Sequence, residues 1–133
     1  KIAEFKGKLY TYQNFPKPYD KFEGHSVQIG KNLYMGPSKG IDDFFNHSCC
    51  PNSGLKIEKR KVNLIAIQKI KKGEEIAWDY STTMDEDYWE MDCFCGGKNC
   101  REKIRDFKYL PAKIQKRYIK LEIVPQYIIE NLK

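Results

Sequence analysis

Three cysteines fall within eight residues, in Cys93-Phe94-Cys95-Gly96-Gly97-Lys98-Asn99-Cys100. Two thiolates with one residue between them can face a common point. A Gly-Gly turn then lets the chain double back and bring a third within about 2.3 Å of a metal. Three thiolates leave a tetrahedral ion one ligand short, and Cys49 or Cys50 is the only other cysteine source. The competing reading, five reduced thiols packed as small hydrophobes, fits poorly beside Gly-Gly and Lys-Asn. Four thiolates would close the coordination sphere, so the ion would be structural zinc, without an open position for activated water. An odd cysteine count argues against a closed disulfide framework.

Two further segments carry chemistry. Phe44-Phe45-Asn46-His47-Ser48-Cys49-Cys50-Pro51-Asn52 is dense in hydrogen-bonding groups, and Gly73-Glu74-Glu75-Ile76-Ala77-Trp78-Asp79-Tyr80 lies downstream. In this order, with the cysteine cluster, they resemble the SET-domain protein lysine methyltransferases with a post-SET zinc segment. The first block is similar to that family's Asn-His-Ser-Cys-x-Pro-Asn stretch. The second resembles its Gly-Glu-Glu-(Leu/Ile)-x-x-Asp-Tyr stretch, and the third its Cys-x-Cys-x4-Cys module.

The resemblance implies a mainly β fold in which the Asn46–Asn52 segment threads beneath the C-terminal part as a pseudoknot, with short C-terminal helices and a small zinc module. It supplies Cys49 as the fourth zinc ligand with Cys93, Cys95 and Cys100, leaving Cys50 spare. The implied reaction moves a methyl group from S-adenosylmethionine to a lysine amine of a protein partner, a histone or another basic protein. Asn46 and His47 would hold the methyl donor, partly through backbone contacts to its adenine, with Phe94 as an apolar wall. Trp78 and Tyr80 would line the lysine channel. Lysine titrates near 10.4 and is mostly protonated at neutral pH, so an apolar channel must favour the neutral amine by desolvation. Tyr80 matches the catalytic tyrosine, in an aligning and polarising role rather than as a strong base.

The elements that must position these groups follow from pattern. The chain has 133 residues, the size of one domain, with 41% hydrophobic and 32% charged residues and a net charge of +6. These values exclude a collagen and a disordered tail, and a transmembrane protein is excluded because no apolar run approaches the roughly 18 residues that a membrane helix needs. Twenty of the 24 bases are lysine, so direct nucleic-acid binding is not expected. An intracellular setting, cytoplasmic or nuclear, suits reduced thiols. Strands are expected within Lys1–Tyr12, at Ser26–Ile29 and Asn32–Met35 around a Gly30-Lys31 turn, along Leu55–Ile70, and at Glu75–Tyr80. Loops are expected at Asn14–Asp20 and Gly36–Gly40, and a helical turn at Ile41–Phe45. Pro111 reads as a first helical position before Ile114, Tyr118 and Leu121, and a last short helix carries Tyr127, Ile128 and Leu132. The reading divides the chain into a core over 1–92, a zinc module over 93–109 and a helical tail over 110–133.

Two departures from the family pattern stand out. No Gly-x-Gly, which helps cradle the methyl donor in the family, occurs in the sequence, so the chain is expected to begin inside the domain. Asp43 stands where the family often has arginine. These departures favour an alternative, a catalytically inactive SET-like module that binds a partner protein; intact Asn46-His47 and Tyr80 favour the enzyme.

Overall fold

The computed structural model describes residues 1–17, 25–87 and 89–132. The part of the expected 14–20 loop beyond residue 17 lies outside them.

The most regular element is an antiparallel hairpin of β6 (Ser53–Glu58) and β7 (Lys61–Ala66), with β1 (Ala3–Phe5) added to the far edge of β7. The expected Leu55–Ile70 run is thus two strands. They are joined through Lys59 and Arg60, both with positive φ (48° and 69°), a turn that its residue types do not signal. Residue alternation along β7 sorts its two faces. Val62 and Leu64 are fully buried with Phe5, Ile29, Met35, Leu55 and Trp78, whereas Ile65, with Ile67 just beyond, packs against the C-terminal helices.

A second antiparallel sheet has the order β2 (Leu9–Tyr10), β4 (Leu33–Met35), β3 (Val27–Gly30). Its hairpin turns at Lys31-Asn32, one residue later than expected, with Asn32 taking the left-handed conformation (φ 52°). Just before β2 the chain runs so close to the end of β4 that a Cβ at Gly7 would lie 1.6 Å from the Gly36 carbonyl oxygen. Only glycine fits there.

Residues Ile41–Phe44 form a 3-10 turn. Asp43, the departure noted above, has a local task here: its carboxylate accepts the backbone N–H groups of Ser38 (2.9 Å) and Lys39 (2.7 Å). Asp42 does the same for Lys6 at 3.1 Å.

β5 (Asn46–His47) pairs in parallel with β8 (Ala77–Trp78). β8 is shorter than the expected Glu75–Tyr80 strand, because the chain leaves it at Asp79 and coils into a 3-10 turn over Tyr80–Thr83. Asp79 caps that turn by accepting the Ser81 N–H at 3.1 Å, and so competes with strand extension. β9 (Met91–Asp92) and β10 (Lys103–Ile104) bracket the cysteine segment as an antiparallel pair.

Helices α1 (Ala112–Lys120) and α2 (Gln126–Asn131) end the chain, with Pro111 and Pro125 at their N-caps rather than inside them. Their apolar faces form a second core of Phe107, Leu110, Tyr118, Ile123, Val124 and Ile128. It presses on β6 so closely that a Cβ at Gly54 would meet Ile123 at 2.6 Å. Among the described residues no helix is long and apolar enough to cross a membrane.

Candidate functional site

The parallel contact between β5 and β8 brings the two motif segments side by side, Asn46 opposite Ala77 and His47 opposite Trp78. Asn52 fastens them. Its Nδ2 donates to the Glu75 carbonyl (2.8 Å) and its Oδ1 accepts the Ala77 N–H (3.1 Å). Asn46 Nδ2 adds a hydrogen bond to Glu75 Oε1 at 2.8 Å.

Tyr80 stands at the centre. Its ring lies 4.7 Å from that of Trp78 and 5.3 Å from that of His47. The Tyr80 backbone N–H donates to His47 Nδ1 at 3.1 Å, and its hydroxyl donates to the Phe45 carbonyl at 2.8 Å. Burial, with the Glu75 charge nearby, pushes its phenol up to about 12. The side chain therefore stays a neutral hydrogen-bonding group at physiological pH.

Tyr80 forms part of the wall of two separate pockets. One is largely apolar and aromatic, with Phe5, Phe45, Val27 and Trp78 beside Asp42, Asp43 and Glu86. The other is lined by Asn46, His47, Asn52, Glu75 and Phe94. The sequence-predicted residues divide accordingly: Trp78 faces the first, Asn46, His47 and Phe94 the second, and Tyr80 both. Trp78 is also core, with an edge-on contact to Phe5 at 6.3 Å. Its buried Nε1 has no hydrogen-bond partner among the described residues. Phe94 is brought to the pocket edge but is 91% exposed, so the protein itself leaves its ring uncovered.

His47 accepts a backbone N–H on Nδ1, so its proton sits on Nε2, 3.3 Å from Cys49 Sγ. Burial, with the Arg101 charge nearby, lowers its pKa to about 4 against the pull of Asp79. The imidazole is neutral and donates toward the sulfur.

The Sγ atoms of Cys49, Cys93, Cys95 and Cys100 all lie within 4.8 Å of one another, with Cys49 and Cys93 at 3.7 Å. A tetrahedron of Zn–S bonds of about 2.3 Å has edges of roughly 3.8 Å, so the four sulfurs fit structural zinc. Burial pushes the Cys49 thiol well above its ordinary range, which a coordinated cation would reverse. Cys50 is outside this set, its sulfur 3.2 Å from where a Gly97 Cβ would be.

Sequence reasoning missed the groups that tie the cysteine segment to Tyr80. Asp79, 1% exposed, accepts Arg101 Nη2 on Oδ1 at 2.8 Å and the Tyr118 hydroxyl on Oδ2 at 3.0 Å. Arg101 also donates its backbone N–H to Cys49 Sγ at 3.4 Å. A carboxylate between Trp78 and Tyr80 was a signal, since a buried charge needs a partner. Its partners, 22 and 39 residues away, were not legible in local pattern.

The SET domain family model matches residues 6–81, more than half of the chain. The variant-silencing SET domain-containing protein of Plasmodium falciparum is 35% identical over 103 residues, 73% of this chain and 4% of its own length. Histone-lysine N-methyltransferase 2D of Homo sapiens is 30% identical over 105 residues, 76% of this chain and 2% of its own. The chain thus spans a small part of the relatives it matches. Among solved structures, KRYPTONITE in complex with mCHG DNA and SAH superposes with a TM-score of 0.62 at 21% identity, over 78% of this chain and 24% of that one, a likeness of fold. By sequence and by architecture, the chain belongs to the SET domain family.

Proposed function

We propose that this chain is a protein-lysine N-methyltransferase that uses S-adenosylmethionine, with Tyr80 as its catalytic residue. The carrying observation is that Tyr80 lies in the wall shared by the two pockets. Transfer between two molecules needs them separated except at one point, with the reacting atoms aligned there. The pocket of Asn46, His47 and Phe94 would take the methyl donor, which supplies an electrophilic methyl on a positive sulfonium. The names of relatives such as histone-lysine N-methyltransferase 2D support a histone substrate, hence work in the nucleus, and SAH in the KRYPTONITE complex supports the donor.

The chain's own residues then divide the task. Asp42, Asp43 and Glu86 in the first pocket attract a cationic lysine. The apolar ring faces of Phe5, Phe45 and Trp78 exclude water and favour the neutral amine. The Tyr80 hydroxyl spends its proton on the Phe45 carbonyl, leaving its oxygen lone pairs free to align the amine; a phenol held near 12 is no base at neutral pH. Cys49, Cys93, Cys95 and Cys100 would hold zinc that braces the donor pocket without taking part in transfer.

The test is incorporation of labelled methyl from S-adenosylmethionine into a panel of histones and other basic proteins. Tyr80→Phe is expected to lower the rate about ten-fold or more. Absence of incorporation by folded chain that binds SAH would favour the inactive partner-binding module.

A further inference from the structure

We propose that the C-terminal helices form the back wall of the methyl-transfer site, with Tyr118 as the positioning residue for Tyr80. The inference rests on the methyltransferase reading and extends it to a segment outside the matched residues 6–81.

The stretch that bears Tyr80 faces two ways. Its front opens on the pockets. Its back is pinned at four nearby points by residues beyond 106. The Tyr118 hydroxyl donates to Asp79 Oδ2 (3.0 Å) and the Tyr127 hydroxyl to the Thr83 carbonyl (2.6 Å). The Phe107 N–H donates to the Met84 carbonyl (3.1 Å), and Asn131 Nδ2 to Asp85 Oδ2. Residues 79 and 81–83 are each at most 2% exposed, so the Asp79 carboxylate and the Thr83 carbonyl cannot exchange their partners for water without moving, whereas the Asn131 contact to Asp85 is exposed.

Tyr118 has the shortest route to Tyr80. Asp79 is the adjoining residue, and its backbone (φ −89°, ψ 110°) sets the direction in which the chain enters the 3-10 turn. One carboxylate oxygen holds the turn through the Ser81 N–H and Arg101; Tyr118 holds the other. Without the Tyr118 hydroxyl, Oδ2 is a buried acceptor with no donor, and rotation of the carboxylate to recover one releases the Ser81 cap. The Tyr80 ring then moves against Trp78 and Phe45, its contacts at the point shared by the two pockets. A small displacement there is enough to slow transfer.

The experiment uses the full chain labelled with 3-fluorotyrosine, in which the Tyr80 fluorine resonance is identified by its loss in Tyr80→Phe. Tyr118→Phe, which removes one hydroxyl, is expected to shift or broaden the Tyr80 resonance. It should also lower kcat about ten-fold, with peptide KM and SAH affinity within about two-fold and zinc content unchanged. Ile123→Val, in the same core, serves as the control, lowering the melting temperature without touching either the resonance or kcat. If Tyr118→Phe does not fold, Asp79→Asn takes its place with the same expectations. An unmoved resonance and unchanged kcat would overturn the proposal, as would an equal loss of kcat in the control. If the parent chain binds SAH yet transfers nothing, the enzymatic reading fails, while the fluorine resonance still decides whether Tyr118 positions Tyr80.

Discussion

The turn at 79–83 and the cysteine segment at 91–104 touch through Arg101, yet they are held in opposite ways. The turn is buried and secured by hydrogen bonds from four other parts of the chain. The cysteine segment has two-residue strands at either end, an exposed Phe94 and a left-handed Gly96 (φ 69°) with nothing within 4 Å of where its Cβ would be. Packing suffices for the first, whereas the second has a small buried cluster of Cys93 and Ile104 with Met84 and Cys49, and its three sulfurs beside that of Cys49. Order in one therefore rests on the core, and order in the other is expected to rest on a metal held by the sulfurs of Cys49, Cys93, Cys95 and Cys100.

Removing zinc is expected to have the largest effect, and to confine it to the cysteine segment. Structural zinc contributes on the order of 10 kcal/mol to small sites, far more than the packing of this segment can replace. Chelation, or Cys95→Ser, is expected to abolish amide protection across 91–104 while Thr82, Met84 and Ile128 keep theirs in hydrogen exchange. Loss of protection at both would show that the turn also depends on the metal.

Asp79→Ala attacks the other region. It leaves Arg101, 14% exposed, as a nearly buried cation without its carboxylate, and should cost about 3–5 kcal/mol in denaturant unfolding. A cost under about 1 kcal/mol would mean that the network carries little of the turn's order.

Stability at alkaline pH depends on the buried phenols behind the turn. Burial, assisted by neighbouring Asp79 or Asp85, holds the Tyr118 and Tyr127 phenols well above their ordinary range. A group whose pKa is raised on folding contributes stability that is complete below its unfolded value, near 10 for tyrosine, and is lost as pH rises through the folded value. Unfolding free energy should therefore fall above about pH 10, and less steeply in Tyr118→Phe. A profile unaffected by that substitution would contradict the assignment.

Phe94→Ala should have the smallest effect on folding, within about 0.5 kcal/mol, because the ring is exposed. Its expected effect is on SAH affinity, read by calorimetry as a several-fold loss. Unchanged affinity would remove Phe94 from the donor pocket.

The motifs told more than the elements did. Asn46, His47 and Tyr80 could be grouped from sequence because each sits in a short block whose residue types are unusual together. The length of β8 was not legible, since Asp79 as a turn cap looks the same in sequence as Asp79 within a strand. Tyr118 was visible only as one more apolar residue at helical spacing. Its hydroxyl acquires meaning from a carboxylate 39 residues earlier, and no local periodicity encodes that distance. The hairpin at Lys59-Arg60 went unseen for a related reason: two charged residues adopt positive φ where glycine or asparagine would have announced the turn.

In the proposed function one phenol, that of Tyr80, stands where a methyl donor and a lysine meet. Single-turnover transfer of labelled methyl from S-adenosylmethionine to a histone peptide, in parent chain and Tyr80→Phe at saturating donor and peptide, tests it most directly. The variant is expected to transfer methyl about ten-fold or more slowly, with SAH affinity retained. Equal rates in the two proteins would contradict it.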